Sequence, residues 1–186
     1  NEKDDLSGVI KDAKATGASA IKIYGSLAPN IVGELTTEAK RQGLKVWSHA
    51  SVRNNTPGDL ARFGVDSLSH ADQLAFENIE HDVNFEEDYS SKIKNAVSTS
   101  VDSAEITGLL RLLKRKNIVL DDTLYIIALG TAEKRTDPAA QRHFNFACKV
   151  TKKAKDMGVA IAAGTDALGG SSPNLHAELQ ILVERC

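Results

Sequence analysis

The sequence lacks an excess of charge of either sign and any long apolar run. Its 23 basic and 25 acidic residues nearly cancel, so no overall field favours nucleic acid or an anionic membrane surface as a partner. The longest apolar stretch, around residues 158–164, has the length of a strand and falls far short of the roughly 20 residues that span a bilayer. We therefore expect no nucleic-acid or membrane partner and a small molecule as the substrate.

The two cysteines are too few for a disulfide framework and are not spaced as a Cys-x-x-Cys metal site. Cys148 lies within a lysine-rich helical pattern, and Cys186 is the last residue of the sequence. We therefore predict that both thiols are incidental.

The 186 residues and the apolar content of 41% are enough for one packed domain. We predict a single barrel domain over residues 1–186. The sequence begins at Asn1 without an initiator methionine and stops within an apolar helical run. We interpret it as a piece of a longer chain, incomplete at its N-terminal side and cut within its last helix.

Five times, a charged helical stretch ends at Gly or Asn and runs directly into an apolar, β-favouring segment. Gly or Asn just past a helix supplies the left-handed residue that closes its last turn. Helices of about 10 to 20 residues between the segments suit crossovers between parallel strands. The pattern predicts an α/β chain with five parallel strands at residues 18–24, 44–49, 65–70, 118–124 and 159–165.

The connection at residues 71–103 is much longer than the others and is predicted to be a loop with its own short helix. Residues 72–88 include seven acidic side chains and no Lys or Arg. They form either a lid over a site that prefers a cationic group or a solvated surface excursion, and acidic stretches are more often solvated.

Lys22 interrupts the apolar strand Ala-Ile-Lys-Ile-Tyr, where it shares one face with Tyr24. A lysine inside a barrel has its ammonium form disfavoured by desolvation. Its neutral amine can take up carbon dioxide and become a carbamate that bridges two metal ions. The structural alternative is a snorkelling side chain or a buried ion pair with Asp66.

His49, His70 and Asp166 each stand at the carboxyl end of a predicted strand. In a parallel barrel all these ends open on the face that carries the active site. Two imidazoles on adjacent strands suit zinc, and Asp166 suits metal ligation and proton transfer. The alternatives are ordinary polar histidines and, for Asp166, a helix N-cap.

Other polar residues are secondary candidates. Asp121 and Asp122 would face opposite ways on a strand, and His81 and His143 are predicted to face solvent. Tyr24 and His176 are candidate substrate-binding residues, because Tyr24 lies beside Lys22 and His176 heads the last helix near the same edge, with Glu178.

Together the motifs resemble the amidohydrolase superfamily, particularly its prolidase-like and imidazolonepropionase-like members. Gly-Ala-Ser-Ala-Ile-Lys-Ile-Tyr-Gly at 17–25 is similar to the family's fourth strand, Gly-Leu-Lys-Val-Trp-Ser-His-Ala at 43–50 to its fifth, Gly-Val-Asp-Ser-Leu-Ser-His-Ala-Asp at 64–72 to its sixth, and Ala-Gly-Thr-Asp-Ala at 163–167 to its eighth. Leu-His-Ala-Glu-Leu at 175–179 is similar to the helix that follows. The resemblance implies a partial TIM-type (β/α)₈ barrel whose first three strands are missing.

The resemblance also implies a mechanism with one or two divalent ions, usually zinc. His49, His70 and a carbamate on Lys22 would hold one ion, and Asp166 with the carbamate would help to hold the other. The metal would activate water for attack on an amide, dipeptide or cyclic amide, with Asp166 as the general base.

One departure from the family puts activity in doubt, because the His-x-His pair of its first strand occurs nowhere in this sequence. The alternative is a non-catalytic fragment or assembly module. Exposed parallel edges would then favour a homo-oligomer or edge-paired assembly. A doubly wound binding domain ranks last, because no glycine-rich phosphate fingerprint follows a strand.

Overall fold

The computed structural model of the chain describes residues 5–78, 85–133, 136–166 and 173–186. Its strands are β1 (Ala20–Ile23), β2 (Lys45–His49), β3 (Ser67–Ser69), β4 (Val119–Asp121) and β5 (Ile161–Ala162). Its helices are α1 (Leu6–Ala15), α2 (Pro29–Arg41), α3 (Pro57–Phe63), a 3₁₀ helix (Ala71–Asn78), α4 (Phe85–Ala96), α5 (Ala104–Lys116), α6 (Leu124–Glu133), α7 (Pro138–Asp156) and α8 (Pro173–Glu184). Within these ranges no helix combines the length and the apolar character needed to cross a membrane.

The five strands form one open parallel sheet in the order β1-β2-β3-β4-β5. This confirms the predicted α/β architecture with five parallel strands, as expected for part of a (β/α)₈ barrel. The strands are shorter than predicted. The fourth ends at Asp121, because Thr123 turns the chain with a φ of 53° and Leu124 then begins α6.

The residues that close the helices before the strands adopt the backbone conformation expected of them. All five have positive φ angles between 55° and 93°: Gly17, Gly43, Gly64, Asn117 and Gly158. At α3, for example, the Gly64 amide donates to the carbonyls of Leu60 and Ala61. The helix–strand boundaries were therefore readable from the sequence.

The helices cover one face of the sheet and leave the other face open. Ile23, Val46, Leu68 and Leu120 lie on the covered face with no solvent exposure. Full burial of such a side chain contributes roughly 1.5–3 kcal/mol. Strand alternation places Lys22 and its registered neighbour Trp47 on the open face. The polar strand residues are thus held at fixed positions by an apolar layer behind them.

The structure joins Cys148 in α7 to Cys186, beyond α8, by a disulfide, with the two Cα atoms 4.7 Å apart. The prediction of incidental thiols was therefore wrong. The two cysteines are 38 residues apart in sequence, and only the packing of the C-terminal residues beside α7 brings them together. The spacing of the two cysteines in the sequence does not indicate that contact.

Gly164, just beyond β5, provides a test of this packing. A Cβ atom there would overlap the carboxylate of Asp121, so we expect Gly164→Ala to destabilise the fold by about 1–3 kcal/mol. In the matched control, Gly108→Ala in α5, the added Cβ meets no described atom within 4 Å. Helix propensity should make that variant more stable by up to about 1 kcal/mol.

Urea unfolding of both variants measures the two changes. A Gly164→Ala variant as stable as the unmodified chain would show that Asp121 does not lie against the Gly164 backbone.

Candidate metal and substrate site

Polar residues meet in a row across the carboxyl ends of the strands. In the sheet register His49 pairs with Ser69, and Ser69 pairs with Asp121. His70 follows at once, and its amide donates to the Asp121 carbonyl at 2.9 Å. The rings of His49 and His70 pack edge to face, with their centroids 4.4 Å apart. Adjacent parallel strands therefore bring the two predicted histidines into direct contact.

His70 is held in a fixed orientation by its backbone and by Thr123. Its φ of 73° is left-handed, a conformation that non-glycine residues adopt at a cost and that is frequent at functional sites. Its Nδ1 lies 2.9 Å from the Thr123 hydroxyl, whereas Nε2 is buried without a partner among the described residues. If Nδ1–H donates to Thr123, the Nε2 lone pair is directed into the site.

Burial favours the neutral form of both imidazoles. It is the main cause that lowers the pKa of His49 to about 3, with smaller contributions from His70 and Lys22. Burial also lowers the pKa of His70, although the Asp72 and Asp166 carboxylates act in the opposite direction. The neutral ring is the form of histidine that binds metal ions.

Lys22 belongs to a network that runs across four strands. Its Nζ donates to the Ser69 hydroxyl at 3.0 Å and lies 3.8 Å from the centroid of the Trp47 ring. Ser69 also accepts from the Trp47 indole and donates to Asp121 at 2.9 Å. The network holds the amine on the open face of the sheet.

The suggested ion pair of Lys22 with Asp66 was wrong, because Asp66 pairs elsewhere. Its carboxylate contacts Lys40 and Lys45 and accepts from the Val46 amide. Lys22 itself keeps some solvent access, yet partial burial lowers the pKa of its amine against the influence of the Asp121 and Asp166 carboxylates.

Asp166 is exposed, with a left-handed φ of 47°. The helix that follows begins only at Pro173, so Asp166 does not cap it. The carboxylate raises the pKa of both Lys22 and His70, which places it in their electrostatic neighbourhood. Sequence reasoning thus identified four residues that the fold gathers at one edge of the sheet.

The fit of these residues to a metal ion is partial. His49 and His70 suit a divalent ion, because they are adjacent neutral imidazoles and one of them has an unpaired buried nitrogen. Among the described residues, however, no three His, Cys, Asp or Glu side chains converge closely enough to hold an ion. A complete coordination set would need Lys22 as a carbamate or ligands from outside the described residues.

A cavity of about 580 Å³ opens over the histidines. Its lining combines the polar residues with an apolar wall made by Ile93, Ile126 and Ile127. Tyr24 lies at its edge, 67% exposed, with its ring centroid 4.2 Å from that of His49. His176 is exposed on α8 and does not line this cavity.

Asp122 and Glu178 form a second polar group on the other side of β4. Asp121 faces Ser69, whereas Asp122 faces Glu178, as the predicted strand alternation requires. Glu178 is fully buried and accepts from the amides of Leu124 and Tyr125 at the start of α6. It therefore secures α8 to α6.

Several contributing residues were missed because no sequence signal marks them. Thr123 orients His70 only through the fold. His143, predicted to face solvent, is partly buried in the cavity wall and bonded to Asp72, so that prediction was wrong. The reading of the acidic connection as a solvated excursion also fails at Asp72, which is buried, and at Glu77, which accepts from the Gly58 amide. His81 lies outside the described residues.

Solved structures resemble the chain, whereas no family model and no curated protein matches it. An ochratoxinase from A. niger is 22% identical with a TM-score of 0.66, over 97% of this chain and 38% of its own. A Xaa-Pro dipeptidase with bound methionine is 18% identical with a TM-score of 0.63, over 96% of this chain and 42% of its own. An amidohydrolase is 17% identical with a TM-score of 0.61, over 98% of this chain and 41% of its own.

These likenesses, all at less than 25% identity, show the fold alone. They confirm the resemblance stated from the sequence motifs at the level of architecture. The chain spans about two fifths of the length of the structures that it matches.

The buried carboxylate pair predicts how stability depends on pH. Burial first, and Glu178 second, raise the pKa of Asp122 from 3.8 to about 8. The folded chain therefore keeps a proton that the unfolded chain has released, and the free energy of unfolding should fall as pH rises from about 4 to 8. Asp122→Asn keeps an N–H donor towards Glu178 and cannot ionise, so its stability should fall less.

Urea unfolding at about pH 5, 7 and 9 measures this difference. The control Asp156→Asn removes a carboxylate that is 59% exposed and paired with Lys152, and it should keep the pH dependence of the unmodified chain. Equal slopes for Asp122→Asn and the unmodified chain would contradict the raised pKa of Asp122.

Proposed function

We propose that this chain is the C-terminal part of the catalytic barrel of a metal-dependent amidohydrolase. The reaction is hydrolysis of a C–N bond in an amide, a dipeptide or a cyclic amide. The observation that carries the proposal is the buried Nε2 of His70, which has no partner in the described part of the chain. It lies beside the neutral ring of His49, at the carboxyl ends of parallel strands. A divalent ion would supply the missing partner.

In this proposal His49 and His70 would hold one ion, together with Lys22 as a carbamate. Asp166 and the carbamate would help to hold a second ion. Zinc or another divalent ion, when bound, polarises the substrate carbonyl and lowers the pKa of water.

The lowered pKa of Lys22 supports the carbamate. The ammonium first loses one proton; the neutral amine then adds carbon dioxide to form a nitrogen–carbon bond and releases a second proton, so the side chain changes from a cation to an anion. Because a charged Lys22 lowers the pKa of His49 by repulsion, the same charge disfavours a metal cation. The carbamate would give Lys22 a negative charge, so that it would attract the metal ion and serve as one of its ligands.

The other residues of the site have separate tasks. Asp166 has an exposed carboxylate at the cavity, and it accepts the proton of the attacking water at a carboxylate oxygen. Ile93, Ile126 and Ile127 bind the apolar part of the substrate and exclude water there. Tyr24, against the His49 ring, covers the site from its edge.

A second candidate is a non-catalytic assembly module with the same fold. It is favoured by the lack of three convergent metal-ligating side chains among the described residues. The open edges of β1 and β5 suit pairing with a further segment or a second copy of the chain. The two candidates differ in whether zinc binds at the histidines.

Zinc titration calorimetry tests the site through a residue that touches no proposed ion. Thr123→Val removes the hydroxyl that orients His70 and should weaken zinc binding about 10- to 100-fold, as loss of such an orienting partner usually does. His70→Ala should abolish binding.

The matched control is Thr36→Val, since Thr36 is equally buried but bonds the Val32 carbonyl within α2. It should bind zinc as the unmodified chain does. An unmodified chain that binds no zinc, even with bicarbonate present, would favour the assembly module.

The carbamate can be tested separately with ¹³C-bicarbonate. The unmodified chain should show a ¹³C carbamate signal and should bind zinc more tightly with bicarbonate than without it, because the modification removes the repelling charge. Lys22→Arg keeps a cation that cannot be carboxylated at neutral pH, so bicarbonate should have no effect on its zinc affinity. An equal bicarbonate effect in both proteins would exclude Lys22 as the modified residue.

A further inference from the structure

A histidine–aspartate pair shares the cavity with His49 and His70. His143 of α7 and Asp72 of the 3₁₀ helix both line it, and His143 Nε2 lies 2.7 Å from Asp72 Oδ2. The Asp72 side chain is only 3% exposed, whereas that of His143 is 25% exposed. The carboxylate is therefore the buried support, and the imidazole is the part that a ligand in the cavity can reach.

We infer that His143 is a ligand-contacting residue of this cavity and that Asp72 is the residue that positions it. The inference rests on the proposed function of the site. With Nε2 engaged by Asp72, the imidazole presents Nδ1 as its remaining polar atom. In the neutral ring Nδ1 accepts from an N–H or O–H of the ligand, and in the protonated ring it donates to a carboxylate.

The contact does more than hold α7 against the 3₁₀ helix. Apolar side chains of both elements already lie in the common core, among them Leu74, Phe76, Phe146 and Val150. A buried carboxylate is costly unless it is paired, so an apolar residue in place of Asp72 would serve a purely structural contact better. The buried Asp72 carboxylate is explained if it holds the His143 imidazole in one ring orientation.

The position of Asp72 also ties His143 to the proposed metal site. Asp72 lies two residues after His70 in the sequence, and its charge acts on the pKa of both His49 and His70. A ligand that reaches the histidine pair and lies along Ile126 and Ile127 therefore passes the wall that holds His143. Such a ligand combines an apolar body with at least one polar group beyond its amide.

Binding of N-acetyl-L-leucine, which carries an apolar side chain, an amide and a carboxylate, tests the inference by calorimetry with and without zinc. His143→Phe keeps a ring but loses both nitrogens, and it should weaken binding about tenfold or more. His143→Gln should recover part of the loss, and Asp72→Asn should weaken binding to a smaller extent. The control Arg142→Gln, at an exposed position of α7, should bind within about twofold of the unmodified chain.

Histidine ¹⁵N spectra add a readout that a purely structural residue would not move. The Nδ1 resonance of His143 should shift when the probe is added, and that of His176, exposed on α8, should not. Unchanged probe affinity in a folded His143→Phe variant, or no probe binding by the unmodified chain, would overturn the inference.

The zinc titration separates this inference from the proposed function. Zinc affinity should be retained in His143→Phe, because His143 is not one of the proposed ligands. A chain that binds no zinc but binds the probe through His143 would support the ligand contact and overturn the proposed metal.

Discussion

Parallel pairing of β2, β3 and β4 places His49, Ser69 and Asp121 side by side at the carboxyl ends of the strands. Every contact of the site depends on that register, because a shift by one residue would turn these side chains to the covered face. The pairing of β1 with β2 sets Lys22 opposite Trp47, two residues before His49 and on the same face. The apolar layer behind the sheet therefore does more than stabilise the fold, since it decides which polar groups can meet.

These polar groups are buried, and their described contacts do not fully offset the cost of removing them from water. His70 Nε2 has no partner among the described residues. Desolvation lowers the pKa values of Lys22 and of both histidines and raises that of Asp121, so the neutral form of each group is favoured. A leftover buried polar atom costs about 1–3 kcal/mol, and the left-handed backbone of His70 adds to this cost. Packing elsewhere in the fold offsets this cost. A bound divalent ion would supply a partner for His70 Nε2, and the proposed function rests on this argument.

Local chemistry explains what could be read from the sequence. Gly17 and Asn117 closed helices where predicted, because few residues accept a left-handed backbone, and the polar strand ends followed from the parallel topology. The contacts of Thr123 with His70, and of Asp72 with His143, join residues far apart in sequence. No periodicity or composition marks such pairs, so they emerge only from the packing of the loops and helices. The disulfide was missed for the same reason.

The central claim is that His49 and His70 together hold a divalent ion. Anomalous diffraction at the zinc edge, from crystals of the chain grown with zinc and bicarbonate, tests it most directly. The account predicts a peak about 2.0–2.1 Å from His70 Nε2 and within bonding reach of His49. A zinc peak elsewhere with the two imidazoles unliganded, or no peak at all, would contradict it.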